Sequence, residues 1–501
     1  RLENIGKLKN NSKVILDYAH TPDALKTVLK NIKEQFPLSK IRLIFGCGGE
    51  RDKTKRRKMG EIASKFADII YLTDDNPRGE NPKKIRNQIK AGIRKKDLIE
   101  IANRRVAINN CVNHLQSGEI AIIAGKGHEK IQEYKSKKYY FSDRDEILKS
   151  INIKNKKLFS DLRLNIIQEK TKLIPKKIKI NKISINSKDI KKNDIFFAIK
   201  GKKKDGSKFL NEVFKKKASL MLTHKINKNI PLSKQIKVRN SLHFLTKCAL
   251  AYRKNINLNI IGITGSCGKT TLKKLLGESL SKISKTYFSP KSFNNKFGVP
   301  LSILNLKQNN EFGIFEIGMD KKGEIDFLSK IVKPNLAVIT NISYAHSKNF
   351  KNINGIADAK SEIINNVVSG GSIILNKDDK FYSYFKTKAV KRNLNTYSFS
   401  LKSKNCYANL DKIVKINDKF KIYFNVSSHK YFFYSNSNSH NHIQNLLAAI
   451  TSISLFYNLK NLPKNIFLDY KNPVGRGDFS KIKLKNKIIN FVDESYNSNP
   501  L

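Results

Sequence analysis

The clearest chemical pattern in the chain is the run Gly-Ser-Cys-Gly-Lys-Thr-Thr at positions 265–271. The apolar residues at 259–263 before it predict a buried strand, and those at 272–276 after it predict a helix. Between a strand and a helix, the backbone N–H groups of such a turn and the positive helix end can bind a polyphosphate. Lys269 would add positive charge, and the hydroxyl of Thr270 would bind a magnesium ion.

This run departs at one position from the general phosphate-loop motif. The pattern G-x-x-x-x-G-K-[ST] requires glycine at position 263, where this chain has Ile263, so the shorter form G-x-x-G-K-T-T remains. An ordinary strand-to-helix turn is the alternative, but Gly-Lys-Thr-Thr at a helix start is rarely accidental. We therefore predict that nucleotide is bound by Gly265, Ser266, Cys267, Gly268, Lys269, Thr270 and Thr271.

Two further residues follow predicted strands and could complete a metal site with Thr270. Glu316 lies at the end of the predicted strand 312–317, and His346 follows the predicted strand 336–342. A parallel sheet would bring these residues together beside the terminal phosphates of a nucleotide. Oxygen and imidazole ligands there suit Mg²⁺ held partly by ATP. Taken alone, His346 would be interpreted as an ordinary loop histidine.

The composition indicates a globular protein of several domains. The chain has 501 residues, of which 39% are hydrophobic, and this length predicts three or four domains. The net charge of +57 would favour nucleic acid, but the lysines are spread along the whole length. We therefore expect a general bias toward Lys, Asn and Ile, no specific nucleic-acid partner, and a preference for small anionic substrates.

The cysteines and the hydropathy pattern indicate a cytoplasmic protein. The five cysteines are scattered and lack the paired spacing of a metal site, which is typical of a reducing compartment. No apolar run approaches the roughly 20 residues of a membrane helix, and no signal peptide opens the chain. Because the sequence starts at Arg1 and stops at Leu501 after Asn-Pro, we expect a piece of a longer protein.

Residues 1–150 predict a doubly wound α/β domain. Strands at 13–16, 41–45, 69–73 and 119–124 alternate with helical segments, and charged residues follow the strand ends. Each cluster could be only a turn. However, Arg51 and Arg78 could each bind a carboxylate with two hydrogen bonds, and Glu129 could pair with an ammonium group. Together they predict a zwitterionic amino acid with an extra charged end.

Four motifs of this first domain resemble the C-terminal domain of the Mur ligases, ATP-dependent enzymes that build the peptidoglycan stem peptide. The motifs are DYAHTPDAL at 17–25, FGCGGERDKTKR at 45–56, TDDNPR at 73–78 and AGKGHE at 124–129. They are most similar to the branch that adds meso-diaminopimelate, although Glu50 stands where that branch usually has Asp. The resemblance implies that meso-diaminopimelate is bound by Arg51, Asp75, Asn76, Pro77, Arg78, Gly125 and Glu129.

The rest of the chain resembles the Mur ligases that add D-alanyl-D-alanine. After a lysine-rich segment at 151–180, predicted as a linker, residues 181–255 form a small mixed α/β domain that resembles the N-terminal domain holding the UDP end of the substrate. Residues 256–470 contain FNNKFGVP, FEIGM, ITNISYAH, ADAKSE, LNKDD and HNHIQNLLAA, in the order of the central ATP-binding domain with a mainly parallel sheet. Residues 471–501 resemble the start of a second C-terminal domain.

The resemblance implies roles for four residues that the pattern alone leaves unassigned. Asn295, Asn376 and Arg476 would bind the nucleotide, and Lys360 would be carbamylated. Without the resemblance, Lys360 would be interpreted as a solvated surface lysine.

The implied reaction is ATP-driven and magnesium-dependent amide formation through an acyl phosphate. Its substrates are UDP-N-acetylmuramoyl-tripeptide and D-alanyl-D-alanine, and Lys269, Glu316, His346 and Lys360 would be its catalytic residues. Two alternatives are the meso-diaminopimelate-adding activity and a nucleotide-gated module that ligates nothing. We expect a monomer that joins parts of two ligases and completes neither reaction by itself.

Overall fold

The computed structural model describes residues 2–36, 39–94, 97–135, 137–173, 178–201, 204–344, 349–471, 478–484 and 487–493. The chain forms two compact units. The first comprises residues 1–181, 190–195 and 207–238, and the second comprises residues 182–189, 196–206 and 239–501. None of the helices within the described ranges combines the length and the hydropathy that a membrane crossing requires.

A six-stranded sheet is the centre of the first unit, in the order β1-β2-β6-β3-β4-β5, with β1 antiparallel and the others parallel. Its strands are β1 (Glu3–Lys7), β2 (Lys13–Asp17), β3 (Ile41–Phe45), β4 (Ile69–Leu72), β5 (Asp97–Glu100) and β6 (Ile120–Ala124). A hairpin, β7 (Ile131–Tyr134) and β8 (Lys137–Tyr140), follows. The helices are α1 (Pro22–Gln35), α2 (Thr54–Phe66), α3 (Pro82–Lys90), α4 (Arg104–His114), α5 (Asp143–Lys157) and α6 (Leu162–Thr171).

Helices cover both faces of this sheet. Ile15, Leu43 and Phe45 point toward α1, α2 and α3, whereas Val14 and Ile44 point toward α4 and α5. Successive residues of a strand face opposite sides, so a strand buried on both faces is apolar throughout. The predicted doubly wound architecture is therefore confirmed.

The segment predicted as a linker, 151–180, is largely helical where it is described. Helix α5 extends into it, and α6 lies within it. The apolar side chains of α6 are buried, namely Leu162, Leu164, Ile166 and Ile167. Lysines dominate the composition of this segment and conceal its apolar face, which is why the sequence pattern suggested a linker.

A small four-stranded sheet follows, in the order β12-β11-β10-β9. Its elements are β9 (Ile183–Ser184), β10 (Ile195–Phe197), α7 (Leu210–Lys215), β11 (Leu220–Thr223) and β12 (Gln235–Lys237).

A nine-stranded sheet organises residues 239–471, in the order β14-β15-β13-β16-β17-β18-β19-β20-β21. Strands β13 to β19 run parallel to one another. Strand β20 is antiparallel to β19, and β21 is antiparallel to β20. Its elements are α8 (Ser241–Lys254), β13 (Asn259–Thr264), α9 (Lys269–Ser281), β14 (Thr286–Phe288), α10 (Gly298–Asn305), β15 (Phe312–Glu316), α11 (Glu324–Val332), β16 (Leu336–Ile339), α12 (Ile353–Ser361), β17 (Ser372–Asn376), α13 (Tyr382–Lys391), β18 (Asn395–Ser400), β19 (Ala408–Ile416), β20 (Lys419–Val426), β21 (His429–Ser435) and α14 (His440–Ser454). An antiparallel pair, β22 (Asp478–Leu484) and β23 (Lys487–Asp493), follows.

One part of the core in this second unit lies between the sheet and helices α9 and α14. Leu272, Leu276 and Leu280 of α9 pack with Leu446 and Ile450 of α14. Burial of these side chains fixes α9 against the sheet, because apolar burial contributes about 25 cal/mol per Å². The start of α9, where the Gly-Lys-Thr-Thr run lies, is therefore held at the carboxyl end of β13.

Candidate functional site

The predicted phosphate loop joins β13 to α9, as the sequence pattern indicates. Gly265 has φ +145°, and a Cβ there would lie 1.9 Å from Thr340 Oγ1. Gly268 caps α9 with φ +79°, and a Cβ there would lie 2.8 Å from Asn445 Oδ1. Both positions therefore favour glycine for backbone conformation, and Gly265 also requires it for space.

The loop that follows β16 holds this phosphate loop in place. Ser266 N–H donates to Asn341 O at 2.8 Å, and Cys267 N–H donates to Asn341 Oδ1 at 2.8 Å. Thr340 Oγ1 donates to the carbonyl oxygen of Cys267 at 2.6 Å. Two of the N–H groups predicted to face phosphate thus already donate within the protein.

Two lysines donate to the same carbonyl oxygen of the phosphate loop. Lys269 Nζ lies 2.7 Å from Gly265 O and 2.9 Å from Ser266 O. Lys360 Nζ, from α12, lies 2.7 Å from the same Gly265 O. Thr270 is buried at the start of α9, and Thr271 is half-buried. The structure thus brings Lys360 to the phosphate loop, although Lys360 and Gly265 are 95 positions apart in the sequence.

Lys360 is not a surface lysine, contrary to the interpretation of the sequence pattern alone. It is 1% exposed. Burial, with a further contribution from the positive charge of Lys269, holds the pKa of Lys360 well below its ordinary value. An ammonium group is disfavoured there, and a neutral amine is the form of lysine that acts as a nucleophile.

Glu316 lies beside the phosphate loop on the neighbouring strand. In the parallel pair of β13 and β15, Glu316 is opposite Ile263. Its Oε2 is 3.3 Å from Lys273 Nζ, and its Oε1 accepts from Asn294 Nδ2 at 2.8 Å. Both side chains of the ion pair are nearly inaccessible, at 3% for the lysine and 2% for the glutamate. A buried carboxylate requires such partners.

Lys273 and Asn294 are residues that the sequence analysis missed. Lys273 lies four positions after Lys269 in α9, which places the two lysines on one helix face, and this spacing was the available signal. Asn294 immediately precedes the predicted Asn295. Asn295 itself is exposed, and its Oδ1 accepts from the N–H groups of Phe297 and Gly298, both at 3.1 Å.

The remaining predicted nucleotide residues have simpler outcomes. Asn376 is buried at the end of β17, and its Oδ1 accepts from Asp378 N–H at 3.0 Å. His346 and Arg476 lie outside the described residues. Within the described part of the chain, no group of three or more His, Cys, Asp or Glu side chains is placed to hold a metal ion.

A second candidate site lies in the first unit, where the loops after β3, β4 and β6 meet. Gly49 N–H donates to Asn76 O at 2.8 Å, and Arg78 Nη1 donates to Gly49 O at 2.6 Å. Arg78 Nε lies 3.7 Å from the carboxylate of Glu133. Arg51 is exposed on the neighbouring loop, and Pro77 is buried. The structure thus brings together the two arginines predicted to bind carboxylates on adjoining loops.

Asp75 is buried beneath Gly125 and does not face solvent. A Cβ at Gly125, which has φ +115°, would lie 2.6 Å from Asp75 Oδ2. Burial raises the pKa of Asp75, although Arg104 and Lys126 act in the opposite direction. The carboxylate of Asp75 therefore faces the backbone of Gly125 and is not available at the surface of the loops.

Asn76 and Glu129 form one polar cluster with a lysine that the sequence analysis did not select. Asn76 Nδ2 donates to Glu129 Oε2 at 3.0 Å, and Tyr18 OH donates to Glu129 Oε1 at 3.2 Å. Lys126 donates to both Asn76 Oδ1 and Glu129 Oε2. It lies between two glycines, a setting that is typical of a turn.

Buried Arg56 connects two of these loops and was also missed. Its guanidinium donates to Gly48 O at 3.1 Å, and to Glu80 Oε1 and Oε2 at 3.0 and 2.9 Å. Hydrogen bonds from Arg56, with a further one from Glu50 N–H, lower the pKa of Glu80 to about 2. The loops after β3 and β4 are therefore joined by an arginine that is 0% exposed.

Three family models match the chain, each over a different range. The model described as "Mur ligase, glutamate ligase domain" matches residues 1–127. That described as "Mur ligase family, catalytic domain" matches residues 179–253, and "Mur ligase middle domain" matches residues 263–453.

This chain matches one curated relative over more than two thirds of that relative's length. The UDP-N-acetylmuramoyl-tripeptide–D-alanyl-D-alanine ligase of Buchnera aphidicola subsp. Acyrthosiphon pisum is 34% identical over 331 residues, which are 64% of this chain and 69% of the relative. The chain belongs to the Mur ligase family. Mur ligases are ATP-dependent ligases of peptidoglycan synthesis.

A second relative belongs to another branch of the Mur ligases. The UDP-N-acetylmuramoyl-L-alanyl-D-glutamate–2,6-diaminopimelate ligase of Rickettsia rickettsii is 50% identical over 156 residues, which are 30% of this chain and 31% of the relative. The chain thus spans about a third of the length of such relatives.

The fold agrees with a solved Mur ligase. The crystal structure of the MurF ligase from Thermotoga maritima in complex with ADP superposes on this chain with a TM-score of 0.54 and 25% sequence identity. The superposition covers 65% of this chain and 73% of the Thermotoga chain.

Proposed function

We propose that this chain provides the ATP-binding and UDP-substrate-binding domains of an ATP-dependent ligase that adds D-alanyl-D-alanine to UDP-N-acetylmuramoyl-tripeptide. The observation that carries the proposal is the convergence of Glu316 and Lys360 on the phosphate loop from two separate elements. A simple nucleotide-binding turn needs neither a buried carboxylate nor a buried amine beside it. The Buchnera relative, whose name states this activity, supports the choice of substrates.

In this proposal, Lys269 offsets negative charge on the terminal phosphates of ATP. The lysine lies at the start of α9, where the helix end is also positive. Phosphoryl transfer to the stem peptide carboxylate depends mainly on positioning and on charge stabilisation. The amine of D-alanyl-D-alanine would then attack the acyl phosphate and release phosphate, so no nucleophilic side chain is required.

Lys360 would contribute as a carbamate. Its neutral amine can add through the nitrogen lone pair to the carbon of carbon dioxide, with loss of one proton, which leaves a carboxylate on the side chain. A carboxylate there would attract a cation, whereas an unmodified lysine would not. The buried position and lowered pKa of Lys360 support this step, and a carbon-13 signal after incubation with labelled bicarbonate would test it.

Magnesium would be held by Thr270, Glu316 and His346. The hydroxyl of Thr270 and the carboxylate of Glu316 fit Mg²⁺, which prefers oxygen ligands. Thr270 lies at the start of α9, and Glu316 lies opposite Ile263, just before the phosphate loop. When bound, the ion would supply neutralisation of phosphate charge. Lys273 and Asn294 would orient the carboxylate of Glu316, because each donates a hydrogen bond to one of its oxygens.

The first unit favours a further role, the binding of meso-diaminopimelate. The Arg51 and Arg78 loops suit a carboxylate, and the Asn76–Glu129 pair suits an ammonium group. The 50% identity to a diaminopimelate ligase supports this substrate. We propose the same division of binding roles among domains that the sequence patterns predict. Residues 1–150 would bind the amino acid, residues 181–255 the UDP substrate and residues 256–470 ATP.

Phosphate release measured on the chain and on any longer form of the protein would test the proposed activity. We expect release only when ATP, magnesium, UDP-N-acetylmuramoyl-tripeptide and D-alanyl-D-alanine are all present, with the amide product detected by mass. Phosphate release that does not depend on UDP-N-acetylmuramoyl-tripeptide or on D-alanyl-D-alanine would favour a nucleotide-gated module. Release that depends on UDP-N-acetylmuramoyl-L-alanyl-D-glutamate and on meso-diaminopimelate would favour the meso-diaminopimelate-adding activity.

A further inference from the structure

Lys126 is a fully buried lysine at the centre of the candidate amino-acid site. It lies in the loop after β6, and its side chain is 0% exposed. Nζ donates to Ile131 O at 2.6 Å, to Asn76 Oδ1 at 3.0 Å and to Glu129 Oε2 at 3.3 Å. A lysine ammonium has three N–H donors, so these three acceptors use all of them.

These contacts determine which way the amide of Asn76 points. Oδ1 of Asn76 accepts from Lys126 and from Glu133 N–H, the latter at 3.1 Å. Because both neighbours can only donate, the oxygen must face them and the NH₂ group must face away. That NH₂ group donates to Glu129 Oε2 at 3.0 Å. Lys126 thus fixes Glu129 directly and also through Asn76.

The remaining carboxylate oxygen of Glu129 lies nearer solvent. Its partner is the hydroxyl of Tyr18, at 3.2 Å, and Tyr18 is 39% exposed. The side chain of Glu129 is 36% exposed. A ligand ammonium would therefore approach the carboxylate from the side opposite Lys126, without contact with the lysine.

We propose that Lys126 is a positioning residue that holds Asn76 and Glu129 in the arrangement that recognises the ammonium group of a diamino dicarboxylate. This inference rests on the proposed binding of meso-diaminopimelate to the first unit. Lys126 acts from the buried side of this polar cluster and balances the charge of Glu129. It favours one orientation of the carboxylate over the solvated alternatives.

The test compares meso-diaminopimelate with pimelate, which has the same carbon chain and carboxylates but no amines. Binding of both to the full chain is measured by ligand-observed NMR titration. We expect Lys126→Met to weaken meso-diaminopimelate about tenfold, or about 1.4 kcal/mol. Binding of pimelate should stay within about twofold, because Lys126 acts through the groups that recognise ammonium. Lys130→Met, which changes an exposed lysine of the same loop, is the matched control.

Two further variants separate positioning from folding. Lys126→Gln keeps two N–H donors without the charge and should lose less affinity than Lys126→Met if it folds with the wild-type thermal transition. In the cycle with Glu129→Gln, the double variant should bind meso-diaminopimelate no more weakly than Glu129→Gln alone.

Three results would overturn the inference, and they are distinguishable. If wild type prefers meso-diaminopimelate and the folded Lys126 variants keep that preference, the positioning role is wrong while the proposed function stands. An equal loss for meso-diaminopimelate and pimelate would indicate a merely structural lysine. If wild type itself shows no preference for meso-diaminopimelate, the proposed function of the first unit fails, and the inference fails with it.

Discussion

The two candidate sites differ in how their charged groups are held. In the amino-acid site of the first unit, Lys126, Asn76 and Glu129 satisfy one another and leave the carboxylate of Glu129 partly exposed. At the phosphate loop of the second unit, Lys269 and Lys360 both donate to Gly265 O. In the proposed function, the first arrangement already presents a carboxylate to its ligand, whereas the second would exchange internal hydrogen bonds of its lysines for contacts with phosphate.

This difference matches the chemistry expected of each site. Recognition of an amino acid gains from preorganised partners, because little conformational entropy is then lost on binding. A polyphosphate is strongly charged and can drive a rearrangement of lysines that would otherwise repel each other. The substitutions below test this contrast.

The largest effect should follow from Lys269→Ala. We expect ATP-dependent phosphate release to fall about 100- to 1000-fold, because the positive charge at the terminal phosphates is lost. Lys285→Ala, which removes an exposed lysine of the same unit, should keep the wild-type rate. A rate within about threefold of wild type would remove Lys269 from the proposed mechanism.

Lys273→Met should destabilise the protein more than Lys126→Met does. It leaves the carboxylate of Glu316, 2% exposed, without its cation, and such losses lower the free energy of unfolding by about 3 kcal/mol. The Glu129 carboxylate is 36% exposed, so water can replace Lys126 there. Denaturant titration measures both variants.

The double variant Lys273→Met with Glu316→Gln provides the control, because it removes the buried negative charge as well. It should be more stable than Lys273→Met alone. If it is not, packing and not charge explains the loss.

Gly265→Ala tests whether the phosphate loop is rigid before the nucleotide binds. The new Cβ would lie 1.9 Å from Thr340 Oγ1 in a backbone conformation with φ +145°, so we expect a loss of about 3 kcal/mol in the free energy of unfolding. Gly370→Ala is the matched control, with φ +70° and no heavy atom within 4 Å of the new Cβ. It should cost about 1 kcal/mol, from backbone strain alone. Equal losses would indicate that the loop moves to accommodate the methyl group.

Acid should weaken the second unit through His442, a smaller effect. Burial lowers the pKa of His442 in α14 from its ordinary 6.5 to about 4. Between these two values the unfolded chain binds the proton and the folded chain does not, so stability falls as the pH falls from 6.5 toward 4. We expect a contribution of about 1–3 kcal/mol to that decline, measured by denaturant titration at each pH.

The variant His442→Gln should show a shallower decline over the same pH range. The neutral ring accepts or donates one hydrogen bond with Ser435 Oγ at 2.8 Å, which an amide can replace. An unchanged slope would assign the acid sensitivity to other groups.

Local patterns predicted much of the framework of both sites. The strand at Ile41–Phe45 has the predicted bounds, and α9 begins within the Gly-Lys-Thr-Thr run, because apolar runs and glycine turns depend on neighbouring residues. The helix predicted over 272–276 extends from Lys269 to Ser281. Helix boundaries depend on tertiary packing, which a local pattern does not contain.

Buried charged residues were the main part of the sites that the sequence alone did not predict. Lys273 and Arg56 occur in lysine- and arginine-rich segments, and Lys126 lies between two glycines, and both settings predict solvent exposure. Each is buried because partners that are distant in sequence surround it, such as Asn76 for Lys126 and Glu316 for Lys273. Lys360 could be placed from family resemblance, and its burial became evident only from the structure.

The complete burial of Lys126 has a consequence for engineering the amino-acid site. A mutant library confined to the solvent-exposed residues of the site would leave this ammonium group in place, together with the amide orientation that it imposes. Variants intended to accept an uncharged side chain would then retain an anchored carboxylate with no cation to meet. A successful redesign would have to replace a residue that the new substrate never touches.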